Sequence, residues 1–371
     1  MLQLGRIRGV PVVVAPSWLI VGLLLTVIYG PIVQDAVPGV SGSTAYLAAL
    51  GFSILFGLCI LAHELGHTLV SLALGHPVRR VVLFALGGVS EIEDEPSRPG
   101  DELLIAATGP LVSLLIAGAA WIGYDASPAG QLITALLGLL WWSNLVLAAF
   151  NLLPGLPLDG GRLLRATVCA FGVSQVNGTR VAAWTGRAVA VLVAVFGLLA
   201  DRTTLGFGAG IFSVALAAYL WFGATQSLRV AGLLSRLPEV DVTELLRPGL
   251  FVPADLTVAE ALRRAWNGNA RGIVLVDSTE RPSAIVDESL IGGVPPDRRP
   301  WTPVVHVARP LEPGLMIPDG LDAPALLQRM RATPAHEYLV VRPDGSAAGI
   351  IATRDFALRL QGPQSRPTPS T

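Results

Sequence analysis

The sequence predicts a polytopic α-helical membrane protein of about six transmembrane helices, with a small cytosolic hairpin and a C-terminal α+β domain. Three observations carry this expectation. Hydrophobic residues make up 52% of the 371 residues and charged ones only 14%, with a mean hydropathy of +0.60, so apolar surface exceeds what one soluble core needs. Apolar runs that match the roughly 20 residues of a membrane span recur along the first 230 positions. From Leu237 onward, charged residues, prolines and short strand-like runs take over.

The apolar runs fall at 14–33, 45–75, 102–123, 130–151, 182–200 and 205–228. The first continues past signal-peptide length without a small-residue cleavage site, so it is expected to remain as a span. Arginine sets the orientation. Arg6, Arg8, Arg79, Arg80, Arg98, Arg162, Arg165, Arg180, Arg229 and Arg236 share the side of the two ends, whereas the opposite loops hold only Arg202. The positive-inside rule then makes both ends cytosolic in a multi-pass protein of the cell membrane. A formal net charge of -1, with no lysine at all, gives no basic field for nucleic acid. Cys59 and Cys169 lie in apolar helical stretches and suggest no disulfide framework.

Two short strands are expected around Gly87-Gly88, within Val78 to Ile92, on the cytosolic side. Beyond the spans, a weak repeat appears. The amphipathic Thr257 to Arg264 precedes the strand-like Gly272 to Asp277 and Ser283 to Val286; Asp322 to Met330 precedes Glu337 to Val341 and Gly349 to Ile351 in the same way. Two helix-strand-turn-strand units follow. The expected divisions are a membrane domain at 1–230, a linker at 231–242, a tandem domain at 243–360 and a Pro- and Ser-rich disordered tail at 361–371.

Chemistry is concentrated in Leu61-Ala-His-Glu-Leu-Gly-His67, an H-E-x-x-H motif whose flanks, Gly51 to Ile60 and Thr68 to Gly75, carry no charged residue. Residues four apart share a helix face, so His63 and His67 can offer two imidazoles to one zinc ion, with Glu64 beside them as general base. A catalytic zinc site needs a third protein ligand. The metzincin extension fails, because Ala73 and Val70 stand where its His and Gly belong. Glu91 and Glu93, the places to seek a thermolysin-like ligand, lie in a stretch that does not read as helix.

Asp159, in Asn151-Leu-Leu-Pro-Gly-Leu-Pro-Leu-Asp-Gly-Gly-Arg162, is the better candidate. At a rise of about 1.5 Å per residue, the histidines and residue 151 both lie about 30 Å from the starts of their spans on the same side. Pro154 and Pro157 then break the helix and let the chain dwell at that depth. On spacing alone, Asp159 either completes the metal site or caps a short helix at 160–171. Asn144 and Asn151, seven apart on one face, either hydrogen-bond an unwound substrate or an oxyanion, or pack between helices. Gly66 and the Gly109-Pro110 pair are expected to permit close helix approach. Cys59 lies four residues before His63 and so could point towards the metal, although a buried cysteine usually behaves as a small hydrophobe.

Together, His-Glu-Leu-Gly-His, Gly109-Pro110, Asn151-Leu-Leu-Pro154 and Leu158-Asp-Gly160 resemble the motifs of the site-2 protease family of intramembrane zinc metalloproteases, over roughly residues 1–230. The resemblance implies His63, His67 and Asp159 as zinc ligands and Glu64 as the catalytic acid/base. It also implies a single-span membrane protein as substrate, such as an anti-sigma factor in bacterial members, and a sheet that pairs with it. The repeat at 243–360 is similar to a tandem CBS pair, as in one subgroup of that family. CBS pairs often carry an adenosine nucleotide or mediate homodimers. The family's ribose-binding Asp corresponds to Asp355 in Gly349-Ile-Ile-Ala-Thr-Arg-Asp355, although Ala352 replaces a hydroxyl residue and the first repeat lacks an equivalent Asp. The alternative from another class is a CBS-regulated metal-ion transporter or channel. Transporters more often show repeated halves, and these spans do not.

Overall fold

The computed structural model describes residues 1–85, 87–93, 96, 98–200 and 207–361. The tail expected at 361–371 therefore lies, beyond Gln361, outside the described residues, as does Arg202. The chain divides into two compact units, Met1–Ala231 and Gly232–Thr371.

The first unit is built on helices α1 (Pro16–Ala36), α2 (Gly42–Ala73), α3 (Pro99–Asp125), α4 (Leu132–Asn151), α5 (Asp159–Ala170), α6 (Gln175–Ala200) and α7 (Phe207–Arg236). Local chemistry sets their starts. Pro16 and Pro99 occupy first-turn positions, where a missing N–H costs nothing, and Ser41 caps α2 by accepting from the Thr44 amide at 3.3 Å. Among the described residues, α1, α2, α3, α4 and α6 are long and apolar enough to cross a membrane. These are five of the six expected spans, counted among the described residues. The sixth expected run, 205–228, falls on α7 and on residues 205 and 206, which lie outside the described ones.

The helices turn their hydrophobic side chains outwards and keep polar ones inside. Leu19 and Phe196 are each 72% exposed, while Ser53, Glu64, Thr68, Glu102, Ser113 and Asn144 are buried. Lipid, not water, suits that outer face. The helices approach closely at small residues: a Cβ on Gly30 would meet the Tyr46 ring at 2.5 Å, and one on Gly66 would meet Thr108 and Val112 at 3.1 Å. Arg187 lies inside α6, within the apolar run at 182–200. Its guanidinium lies 4.7 and 4.8 Å from the Trp184 and Trp221 rings and donates to Thr225 Oγ1 at 3.0 Å, which ties α6 to α7.

Strands β1 (Leu2–Ile7), β2 (Val10–Val14), β3 (Val78–Phe84) and β4 (Gly87–Ile92) form one sheet in the order β1-β2-β3-β4. The β3–β4 pair is the expected hairpin. The β1–β2 hairpin was not expected: Ile7 pairs with Val10 across Arg8-Gly9, both at positive φ (49° and 87°), as a tight two-residue hairpin turn requires. Strand β2 then runs parallel to β3. Val10, Val12, Val78 and Val81 pack on Leu61 and Leu72 of α2, so the sheet rests on the helix that carries the H-E-x-x-H motif.

The second unit contains the expected repeat. Strand β5 (Gly249–Pro253), α8 (Val258–Asn267), β6 (Gly272–Val276), β7 (Pro282–Val286), α9 (Glu288–Gly292) and β8 (Ala308–Pro310) precede β9 (Met316–Pro318), α10 (Ala323–Ala332), β10 (Glu337–Val341), β11 (Ala347–Ala352) and α11 (Thr353–Gln361). In each repeat the first strand runs parallel to the second and the second pairs antiparallel with the third. The repeats exchange edges: β8, which leads into the second repeat, pairs with β7, and Arg247, which leads into the first, bridges Ile350 of β11. The result is a pair of similar α+β repeats with two cores, one around Leu275 and one around Leu339 that Val274 and Ile285 of the first repeat also join.

Candidate metal centre

A cluster of polar side chains inside the membrane unit is assembled from α2, α3 and α5. His63 and His67 are 4% and 3% exposed, and their Nε2 atoms lie 3.1 and 3.2 Å from Asp159 Oδ2. The ligand atoms of the three residues all lie within 4.8 Å of one another. Asp159 resolves the choice that spacing left open. The N-cap of α5 is Leu158, with no side-chain cap, and the Asp159 carboxylate turns to the imidazoles from the first turn. Gly160 and Gly161 make this possible, since a Cβ on either would strike the backbone of residues 152–156 within 2.4 Å.

Helix α3 supplies the other wall through Ile105, Gly109 and Ser113, spaced four apart on one face. His67 Nδ1 donates to the Ile105 carbonyl at 2.7 Å, and His63 Nδ1 is hydrogen-bonded to Ser113 Oγ at 2.9 Å. A carbonyl only accepts, so the neutral His67 ring carries its proton on Nδ1 and directs the Nε2 lone pair at the carboxylate. Lone pair and carboxylate then face one another, as two ligands of one cation do. Gly109 leaves space for it: a Cβ there would lie 2.2 Å from His67 Nε2 and 2.5 Å from His63 Nε2. Two imidazoles, one carboxylate and an open cradle fit a zinc ion with a position left for water.

Glu64 is 7% exposed and lies under β4, where a Cβ on Gly88 would come within 2.3 Å of its Cγ. That strand's contact with Glu64 was not foreseen. A residue pair 26 positions apart leaves no periodic signal.

A second buried pair fixes α5 to α3. Arg165 and Glu102 are 9% and 4% exposed, and Arg165 Nε donates to Glu102 Oε1 at 2.8 Å. Removing the carboxylate with Glu102→Ala is expected to cost about 3 kcal/mol and to loosen the helix that carries Asp159. Thermal unfolding should show a lowered midpoint and zinc should be lost on heating earlier than from the wild type.

The remaining expected residues divide. Asn144 is completely buried, donates to the Leu140 carbonyl at 2.9 Å and lies against Cys59 of α2. Cys59 accordingly stands apart from the ligand cluster. Asn151 is half-buried at the end of α4 and donates to the Leu147 carbonyl at 3.0 Å. Asp355 is engaged bidentately by Arg247, whose Nη2 lies 2.7 Å from Oδ1.

Comparison with known proteins finds matches over the part of the chain that carries this site. The model of Peptidase family M50 matches residues 51–129 and 124–196. The protein sll0528 of Synechocystis sp. is 29% identical over 368 residues, covering 97% of this chain and 95% of its own. The solved site-2 protease from Methanocaldococcus jannaschii is 27% identical and covers 61% of this chain and 94% of its own, with a TM-score of 0.44. The CBS domain protein PAE2072 from Pyrobaculum aerophilum, solved with AMP, is 23% identical over 33% of this chain and 98% of its own, with a TM-score of 0.27. The histidines, the aspartate and the cradle all lie within residues 51–196, which match Peptidase family M50, and with that site on three packed helices the chain reads as an intramembrane zinc metalloprotease with an α+β C-terminal region.

Proposed function

We propose that the protein cuts a single-span membrane protein, or the stub left by an earlier cut, near the cytosolic side, as a step of regulated intramembrane proteolysis. A membrane-held regulator such as an anti-sigma factor is the substrate class that fits. The observation that carries the reading is the convergence of His63, His67 and Asp159, with Glu64 alongside, inside a unit whose outer face is apolar. His63, His67 and Asp159 would hold the zinc, which when bound supplies Lewis-acid polarisation and a more acidic water.

Glu64 takes the proton of the attacking water and returns it to the leaving amine. Asn151, at the end of α4 beside the loop to Asp159, donates to the backbone of the unwound peptide. Strand β4 is an outer strand of its sheet and offers that peptide an edge to pair with. Water must come from the cytosol, because the hydrolysis consumes it and lipid supplies none. The arginine distribution supports cytosolic ends, which reporter fusions at each end would test.

In the second unit, a cavity of about 440 Å³ is lined by Asp287, Arg309, His336 and Thr353, and an adenosine nucleotide would bind there. Burial pushes the Asp287 carboxyl up, but hydrogen bonds from Ser289 and the nearby His336 outweigh it and hold the group below its ordinary range. Asp355 is tied to Arg247, and Arg309, the arginine that lines the cavity, is the natural contact for phosphate. Calorimetric titration with AMP tests this, and light scattering tests whether the CBS-like pair forms a homodimer. For the protease itself, membrane proteomes of cells carrying wild type or Glu64→Gln are compared. A single-span protein that accumulates only with the variant is the expected result, and metal flux retained by the variant would favour a transporter instead.

A further inference from the structure

We propose that Ser90 is a positioning residue for Glu64, and that β4 thereby links seating of the peptide to alignment of the carboxylate. The proposal rests on the proteolytic reading above. Ser90 sits on β4 opposite Val81 of β3. Its hydroxyl lies 2.9 Å from Glu64 Oε2 and 3.0 Å from the Glu64 carbonyl oxygen, so its one hydrogen is directed at two acceptors of the same residue. One turn along α2, the fully buried Thr68 donates to Ser90 Oγ at 3.1 Å. The two hydroxyls form a directed relay that ends on the carboxylate, Thr68 to Ser90 to Glu64.

The relay holds one rotamer of Glu64. A hydroxyl donating to a carboxylate makes a stronger bond than one between neutral groups, and the scarcity of water here strengthens it further. Gly88 closes the other escape: the strand lies so near the glutamate stem that a Cβ would be 2.3 Å from Cγ and 2.8 Å from Cδ. Ser90 and Gly88 stand two apart on β4 and therefore on the same face of the strand. The other side of β3 is taken by β2, which leaves β4 with an edge unpaired by any described strand. A peptide that adds to that edge acts on the same backbone that carries Ser90. Seating and carboxylate alignment are then one mechanical event. Alignment matters because a proton-transfer group displaced by about 1 Å can lose about 100-fold in rate.

The test compares Ser90→Ala and Ser90→Thr with the wild type in full-length, zinc-loaded protein in detergent. Fluorescein-labelled casein serves as an unfolded chain able to pair with a strand, and kcat, KM, zinc per chain and unfolding midpoint are measured. Ser90→Ala should lower kcat about 10- to 100-fold while KM stays within about twofold and zinc and midpoint are unchanged. Ser90→Thr keeps the hydroxyl on a residue suited to a strand and should restore kcat to within about threefold of wild type. An unchanged kcat in Ser90→Ala overturns the proposal. So does a loss expressed in KM, or one that comes with lost zinc and a lowered midpoint and is not rescued by Thr, because either means that Ser90 only fastens β4 to α2. Casein left intact by the wild type, or cut by Glu64→Gln, overturns the proteolytic reading beneath the proposal instead.

Discussion

Replacing Glu64 by Gln is expected to remove cleavage while one zinc per chain remains. The substitution keeps the size of the side chain beneath Gly88, and Ser90 can still donate to the amide oxygen, so packing against β4 survives. What is lost is the ability to take a proton from water and return it to the leaving amine. General acid–base catalysis contributes about 100- to 10,000-fold, and a fall of that size is expected in kcat. Cleavage assays paired with elemental analysis check it. Zinc lost together with activity would mean that Glu64 builds the site and does not act in it.

Gly109→Ala is expected to have the reverse signature, a loss of the metal itself. The added Cβ would lie 2.2 Å from His67 Nε2 and 2.5 Å from His63 Nε2, where the ion must sit. Neither histidine can retreat, since His67 is anchored to the Ile105 carbonyl and His63 to Ser113. Bound zinc should fall about tenfold or more, with activity falling alongside. Gly118 on the same helix provides the control, because a Cβ there meets nothing within 4 Å. Gly118→Ala should leave zinc and activity unchanged. If Gly109→Ala binds zinc normally, the cradle described for the ion is wrong.

The metal centre was legible because its signals are local. Two histidines four apart announce a shared helix face, and the two prolines before Asp159 announce a chain that halts at depth. The choice between ligand and cap was beyond spacing and needed the carboxylate's direction, which Gly160 and Gly161 set through close backbone contacts. Asn144 and Asn151 share a face by spacing, yet one is wholly buried against α2 and the other half-exposed at the helix end. Helical phase says which face, and depth along the axis decides what that face meets.

The N-terminal hairpin carries little signal of its own because the short apolar run Val10 to Val14 directly adjoins the first apolar span at 14–33. Arg187 was hidden in the same way, inside a run apolar enough to mask one charge that two Trp rings accommodate. Likewise, the cover that β4 lays over Glu64 joins residues remote in sequence, and no pattern of periodicity records it.

The central claim is that one zinc is held by two imidazoles and one carboxylate inside the membrane unit. X-ray absorption at the zinc edge of the purified full-length protein tests it most directly. The predicted result is one zinc per chain with a shell of nitrogen and oxygen alone, at about 2.0 to 2.2 Å. A zinc-free protein with both histidines intact, or a sulfur neighbour at about 2.3 Å pointing to Cys59, would contradict it.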